Sequence, residues 1–184
     1  AGADRVLVAE PGRARQMNAG AESARGDVLL FLHADTRLPE AADALIEAAL
    51  ANAGRGRGRG GAGHSWGRFD VRIEGRPRIL RLVAALMNGR SRLTGIATGD
   101  QAIFVERALF AELGGYAEQP LMEDIELSRR LRARGAPACL HARVTTSGRR
   151  WEQRGPWRTI LLMWRLRWRY WRGESPQALA EAYR

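Results

Sequence analysis

Residues 27–40 read DVLLFLHADTRLPE, and this stretch decides the reading of the fold. An apolar run stops abruptly at His33-Ala34-Asp35. A continuous run of this kind predicts a central parallel strand covered on both faces. LPEAADALIEAALANAG follows and reads as helix, with Pro39 near the first turn, acidic residues early, and apolar Leu45, Ile46, Ala49 and Leu50. Upstream, DRVLVAE (residues 4–10) is a short β-branched and Leu run that predicts a buried strand. PGRARQMNAGAESARGD then predicts a helix stopped at Gly26. Strand, helix, strand, helix in this rhythm predicts an α/β domain with a mainly parallel sheet and flanking helices.

Downstream, WGRFDVRIE reads as a strand and RPRILRLVAALMNGRSRL as a helix ending near Gly89. GIATGDQAIFVE is a glycine-rich loop running into a strand, and RALFAELGGYAE a short helix stopped by Gly114-Gly115. EDIELSRRLRARG is amphipathic, with Ile125, Leu127 and Leu131 inward and Gly135 as its stop. ACLHARVTTS is a further strand. GRGRGRGGAG (residues 54–63) is too simple to pack a core. It reads as a surface loop, with an RGG-like nucleic-acid segment as the alternative.

The chain has 184 residues, enough for one domain with a sizeable core, or a domain plus an appendage. Its formal charge is +10 and every basic residue is Arg. That balance favours anionic partners such as phosphates, nucleic acid or an anionic membrane surface. Cys139 is the sole cysteine, which excludes an intrachain disulfide and a Cys-based zinc cluster. No apolar run is long enough to span a bilayer, and the N-terminus does not read as a signal peptide.

Four features carry candidate chemistry. Asp35 lies just past a strand end, where ligands bind in open α/β sheets; a hard divalent cation on a diphosphate wants a carboxylate there. An N-cap or turn aspartate is the competing reading. Glu123-Asp124 opens an amphipathic helix, either as favourable charge at its N-terminus or as a general base for a hydroxyl. In TGDQAIF, Gly95 upstream and Gly99 allow close backbone approach, and Asp100 and Gln101 offer hydrogen bonds to hydroxyls; a plain turn before a strand is the alternative. In GRRWEQRG, Arg149 and Arg150 suit phosphate oxygens and Trp151 a sugar or base, or all three belong to a solvated basic loop.

Together these blocks resemble the family-two glycosyltransferases. GRARQMNAGAESARGDVLLFLHADT resembles the stretch leading to that family's Asp-X-Asp metal motif. GDQAIFVERALFAELGGYAEQPLMEDIELSRRLRARG resembles its later block, where a helix ending in Gly-Gly-aromatic precedes a Glu-Asp motif. SGRRW resembles the end of its Gln-X-X-Arg-Trp motif. The resemblance covers most of residues 12–151 and is nearest the bacterial subgroup associated with radical-SAM and selenium-related domains. It implies a Rossmann-like GT-A fold that binds a nucleotide-diphosphate sugar and inverts the anomeric carbon. It implies Mg²⁺ or Mn²⁺ at Asp35, Asp124 as general base and Glu123 in support. Arg13, Asn18, His33, Asp100 and Gln101 would lie on the donor side. Arg149 and Arg150 would meet the leaving diphosphate, and Trp66 and Trp151 would shape the acceptor side. The acceptor itself is undefined in that subgroup.

The chain departs from the family pattern in three places. His33 stands where the first Asp of Asp-X-Asp is expected, and the Gln of the Gln-X-X-Arg-Trp motif has no counterpart in the residues just before Arg150-Trp151. The family's opening strands, with a Pro-X-X-Asn-Glu turn and an Asp-rich turn that grips the base, have no counterpart. An N-terminally truncated domain is therefore expected, and the 184-residue chain alone is expected to be inactive or very weak.

Residues 1–151 are read as the transferase domain and residues 152–184 as a Trp/Arg-rich helical extension. In residues 156–173, Trp157, Ile160, Leu161, Trp164, Trp168 and Trp171 share one face, and Leu162, Met163, Leu166 and Tyr170 another. Arg158, Arg165, Arg169 and Arg172 lie between them. One face suits the domain; the other suits an anionic membrane surface, or a further protein contact. A cytoplasmic enzyme, peripheral on the inner face of the membrane, is expected. Two other readings remain: a non-catalytic sugar-nucleotide-binding scaffold and, with less support, an Arg-rich nucleic-acid-binding protein.

Overall fold

The computed structural model of the chain describes residues 3–51 and 64–183. The Gly-Arg stretch, residues 54–63, lies outside them. The elements run α1 (Arg13–Ser23), β1 (Val28–Phe31), β2 (Thr36–Arg37), α2 (Ala42–Ala51), β3 (Trp66–Glu74) and α3 (Ile79–Thr94). A 3₁₀ turn (Gly99–Gln101) leads to β4 (Ile103–Glu106), α4 (Arg107–Glu112), α5 (Glu123–Arg134) and β5 (Ala138–Ser147). The chain closes with α6 (Arg149–Arg154), α7 (Pro156–Trp171) and α8 (Pro176–Tyr183).

The fold is mixed α/β, with a five-stranded sheet in the order β1-β4-β3-β5-β2. The expectation of a mainly parallel sheet does not match this pairing. Only β3 and β5 run parallel; β1–β4, β3–β4 and β2–β5 are antiparallel. The apolar run of residues 28–34 is not a central strand either. It gives a four-residue strand at one edge of the sheet, paired on one side with β4. Residues 4–10 form no strand: among the described residues no strand pairs with them, and Val6 and Val8 stand 82% and 99% exposed. A strand without a neighbour has no ladder to satisfy its backbone, so apolar content alone does not make one.

The sheet is forced to curl. β1 and β2 are at opposite ends of the strand order, yet only residues 32–35 join them. Four flat strand spacings would put them about 19 Å apart. The linker is drawn in by a tight turn, with the Thr36 N–H bonded to the His33 carbonyl at 3.0 Å. A register shift between Phe69 and Asp70 breaks the β3–β5 ladder and adds to the bend. The curl brings the strand ends together around residues 33–36.

Alternation splits the core between the two sheet faces. On β4, Phe104 packs with Phe69, Val71, Leu80, Ile46 and Val144, while Ile103 and Val105 face Leu29, Phe110, Leu127 and Leu131. Each such fully buried side chain contributes about 1.5–3 kcal/mol. Gly67 is required where β3 passes β5 and β4, because a Cβ there would overlap the Ala138 carbonyl and the Phe104 ring. Helix α3 runs past Gly89 and ends at Gly95 (φ 66°, ψ 17°), whose N–H bonds Ser91. It is the left-handed glycine, not the first glycine, that stops the helix.

A third cluster joins the C-terminal helices to the rest. Leu166 and Leu179 pack on Leu121 and Met122, with Leu162, Met163 and Tyr170 around them. The inner face of α7 is thus docked through Leu166, opposite its tryptophans. Trp157, Leu161, Trp164, Trp168 and Trp171 are between 58% and 79% exposed. Among the described residues no helix is long and apolar enough to cross a membrane.

Candidate functional site

Three separate stretches of chain converge where the sheet curls. The first is the exit from β1. The His33 Nδ1 lies 3.4 Å from the Asp100 carboxylate. That carboxylate raises the imidazole pKa above its ordinary value, against the opposing effect of burial. Gly99 sits so close to His33 that a Cβ would overlap the imidazole, so the glycine is what lets this ring in.

The second stretch is the 3₁₀ turn. It is closed by a capping box between Thr98 and Gln101. Gln101 is fully buried, accepts from the Thr98 N–H at 3.2 Å and donates to Asn88 at 3.4 Å. Its amide therefore braces the turn from inside, while Asp100 presents a half-exposed carboxylate outward.

The third stretch is the start of α5. Met122 precedes it in the left-handed region (φ 66°, ψ 19°), a conformation that costs about 1–2 kcal/mol for a non-glycine residue. The chain turns sharply there and sends Glu123 and Asp124 into the first helical turn, where free N–H groups favour negative charge. Asp124 Oδ2 accepts the Gly99 N–H at 2.8 Å and Oδ1 accepts the Ile125 N–H at 2.7 Å. Each oxygen keeps a lone pair for a further donor, and the residue is only partly buried.

Glu123 is buried, its Oε1 3.1 Å from Arg13 Nε and its Oε2, among the described residues, without a hydrogen-bond partner. Burial, then the Asp124 charge, pushes its pKa up, and Arg13 pulls the other way. Deep burial, then the charges of Asp124 and Glu123, push the Tyr116 phenol far up, so it stays neutral.

The other residues singled out from sequence fall in different places. Asp35 is exposed in the turn after His33, and its carbonyl accepts the Ser147 N–H at 3.2 Å. This contact brings the Asp35 turn to the head of α6, where Arg149 and Arg150 begin. Arg150 lies over the Tyr183 ring, 5.2 Å from its centre. Trp151 packs its partly buried ring on the core. Asn18 clips α1 to the Gly114-Gly115 turn through two 2.9 Å bonds to the Tyr116 backbone. Trp66 is fully buried, its indole N–H bonded to the Gly135 carbonyl at 2.9 Å, so it is a core residue and lines no open site.

Among the described residues, no group of three or more His, Cys, Asp or Glu is placed to hold a metal ion. Asp35 is a single exposed hard-oxygen donor. It suits a cation that brings most of its ligands along as phosphate oxygens and water.

Two residues were not legible in the sequence. Arg90 on α3 and Arg167 on α7 both belong to Arg-rich stretches that look like ordinary solvated faces. Burial, then the nearby charge of Arg167, pulls the Arg90 pKa down to about 10, with Asp124 opposing. Burial depresses that of Arg167, and Asp124 and Asp100 counter it. No protein-family model and no curated protein matches this chain.

Proposed function

We propose that the chain carries the catalytic residues of an inverting glycosyltransferase that moves a sugar from a nucleotide-diphosphate donor to an acceptor hydroxyl. The observation that carries this reading is the convergence of residues 33, 99–100 and 123–124 on one half-buried carboxylate. Asp124 is held by two backbone N–H groups and retains proton-accepting capacity. In the reaction, Asp124 takes the proton of the acceptor hydroxyl as its oxygen bonds to the anomeric carbon. The bond from that carbon to the diphosphate breaks on the opposite face, and the diphosphate leaves with the electron pair. Glu123 and Asp100 hold the surrounding charge, and Arg13 fixes Glu123. Asp35 would hold a Mg²⁺ or Mn²⁺ that travels on the donor, which supplies positive charge for the leaving diphosphate. Arg149 and Arg150, beside the Asp35 turn, add to that charge.

The reading is tested by thermal unfolding of the protein with UDP or GDP, with and without Mn²⁺. A metal-dependent rise for one nucleotide is expected; at a nucleotide concentration 100 times its Kd the stabilisation is about 2.7 kcal/mol. Shifts that are absent, or identical with EDTA, would count against it. A scaffold that binds without turnover would give the same shifts, and the Asp124 variant treated in the Discussion separates it.

A second observation bears on where the protein works. The exposed Trp stripe of α7 is flanked by exposed Arg158, Arg165 and Arg172, the last stacked on Trp168 at 5.3 Å. Indole rings seated at headgroup depth with guanidinium groups beside them fit an anionic lipid surface. On this reading the protein is a peripheral enzyme at the inner face of a membrane. It is expected to co-sediment with phosphatidylglycerol–phosphatidylcholine vesicles, and the Trp164→Glu/Trp168→Glu variant to lose most of that binding. Equal sedimentation of the two proteins, or none by either, sinks the idea.

A further inference from the structure

One side of helix α3 is built like a core face but points to solvent. Leu80, Val83, Ala84 and Ser91 form its buried side. At about 100° per residue, Leu82, Leu86, Gly89 and Leu93 fall in one line on the opposite side. The three leucines are 56%, 58% and 88% exposed. A single exposed leucine is ordinary, but three aligned on one helix face make a patch. Gly89, in the middle of the line, is exposed too, and among the described residues nothing lies within 4 Å of where its Cβ would be. A glycine inside a helix weakens it relative to alanine, and here no packing within the molecule demands one.

The charge around this line is of one sign. Helix α3 carries Arg81, Arg90 and Arg92 and no Asp or Glu, and Arg76 and Arg78 stand exposed at its head. A second copy packed along the face, in either direction, would set guanidinium groups against guanidinium groups, and such like-charge contact opposes association. An anionic lipid surface answers both features. The leucines enter the boundary between headgroups and acyl chains, and the arginine stems carry their charged ends to the phosphates. At 16 residues the helix is short for a crossing and suits a position along that boundary.

We propose that the outer face of α3 is a lipid-contacting surface, seated in an anionic headgroup layer through Leu82, Leu86 and Leu93. It lies on a different element from the Trp-lined α7 and stands apart from that reading and from the transferase reading. The face is also close in the chain to the candidate site. After Leu93 the helix ends at Gly95, and the chain enters the turn whose Gly99 N–H holds Asp124 at 2.8 Å. A seated α3 would hold that turn, and the carboxylate bonded to it, beside the lipid.

The test is co-sedimentation of the protein with phosphatidylglycerol–phosphatidylcholine vesicles and with phosphatidylcholine vesicles alone. Leu82→Gln/Leu86→Gln removes apolar surface without adding charge and keeps good helix formers. It is expected to bind the anionic vesicles about tenfold more weakly than the wild type. Gly89→Leu completes the apolar line in open space and is expected to bind about three- to tenfold more tightly. This gain guards against a Gln variant that merely misfolds. Val8→Gln, an exposed apolar change on another part of the chain, is expected to bind like the wild type. The wild type is expected to bind phosphatidylcholine alone far more weakly. Unchanged binding by the Gln variant, no gain from Gly89→Leu, or no binding by the wild type overturns the proposal. Loss in the Gln variant with none in Trp164→Glu/Trp168→Glu keeps α3 and removes α7; the reverse keeps α7 and removes α3. Sedimentation velocity without lipid gives the other occupant: self-association of the wild type that the Gln variant abolishes would assign the face to a second copy and overturn the lipid assignment.

Discussion

Asp124→Asn is expected to lower sugar transfer by about 10²–10⁴-fold while leaving nucleotide binding in place. The substitution keeps the shape of the side chain and removes the proton acceptor. Both Asp124 oxygens take backbone N–H groups, from Gly99 and Ile125. An amide can replace only one of those acceptors, so one backbone donor loses its partner and a stability cost of about 1–3 kcal/mol accompanies the change. Loss of turnover with folded protein and unchanged UDP or GDP affinity is the result that identifies a base. Transfer within a few fold of wild type would move the base elsewhere. Loss of nucleotide binding along with turnover would make Asp124 a positioning residue for the turn at Gly99. A scaffold protein would show no transfer in either form.

The largest effect on stability is expected at Asp70. This carboxylate sits on β3, bonded to the fully buried Arg68 and, at 2.8 Å, to Arg92. Arg92 also donates to the Cys139 carbonyl at 3.0 Å, and Arg68 to the Asn88 carbonyl at 3.2 Å. The group therefore ties β3, α3 and β5 together just where the β3–β5 ladder shifts register. Asp70→Asn removes the negative charge that Arg68 and Arg92 share and strands the Arg68 cation, whose Nε already has no hydrogen-bond partner among the described residues. Breaking a buried pair from one side costs about 3–5 kcal/mol, or roughly 10 °C in the unfolding midpoint of a chain this size. Urea unfolding measures it. The double variant Arg68→Met/Asp70→Leu removes both charges and is expected to recover much of the loss. A single variant as stable as the wild type would show that the cluster is hydrated and contributes little.

The sequence was most readable where local rules dominate. The Gly135 stop of α5, the short α4 ahead of Gly114-Gly115 and Pro156 at the start of α7 all follow from backbone preferences at one or two residues. Strand direction did not, because an apolar run looks the same in a central parallel strand and in an antiparallel edge strand with a helix-covered face. Residues 4–10 mislead for the same reason: their pattern fits a strand, but a strand is made by its neighbour. The carboxylates at the head of α5 were visible because a helix N-terminus has its own signature. Their contact with Gly99, 25 residues earlier, was not, since the curl that closes it depends on the whole sheet. Asn18 and Gln101 were identified as polar residues able to bond a ligand, and much of that capacity is spent on the backbone of Tyr116 and on Thr98 and Asn88. Arg90 and Arg167 went unseen because thirty basic residues offer no contrast, and the burial that lowers their pKa appears only once the helices are packed.

Met122 belongs to two structures at once. Its backbone, held at positive φ, is the corner that launches the helix of Glu123 and Asp124, and its side chain is part of the cluster under α7 and α8. The division after Trp151 is therefore one of composition and not of cooperativity. Removing residues 152–184 would bare Leu121 and Met122 and release the strained corner, so the tail works as a clamp. Whatever seats or lifts the outer face of α7 is felt one residue away from Glu123 and two from Asp124.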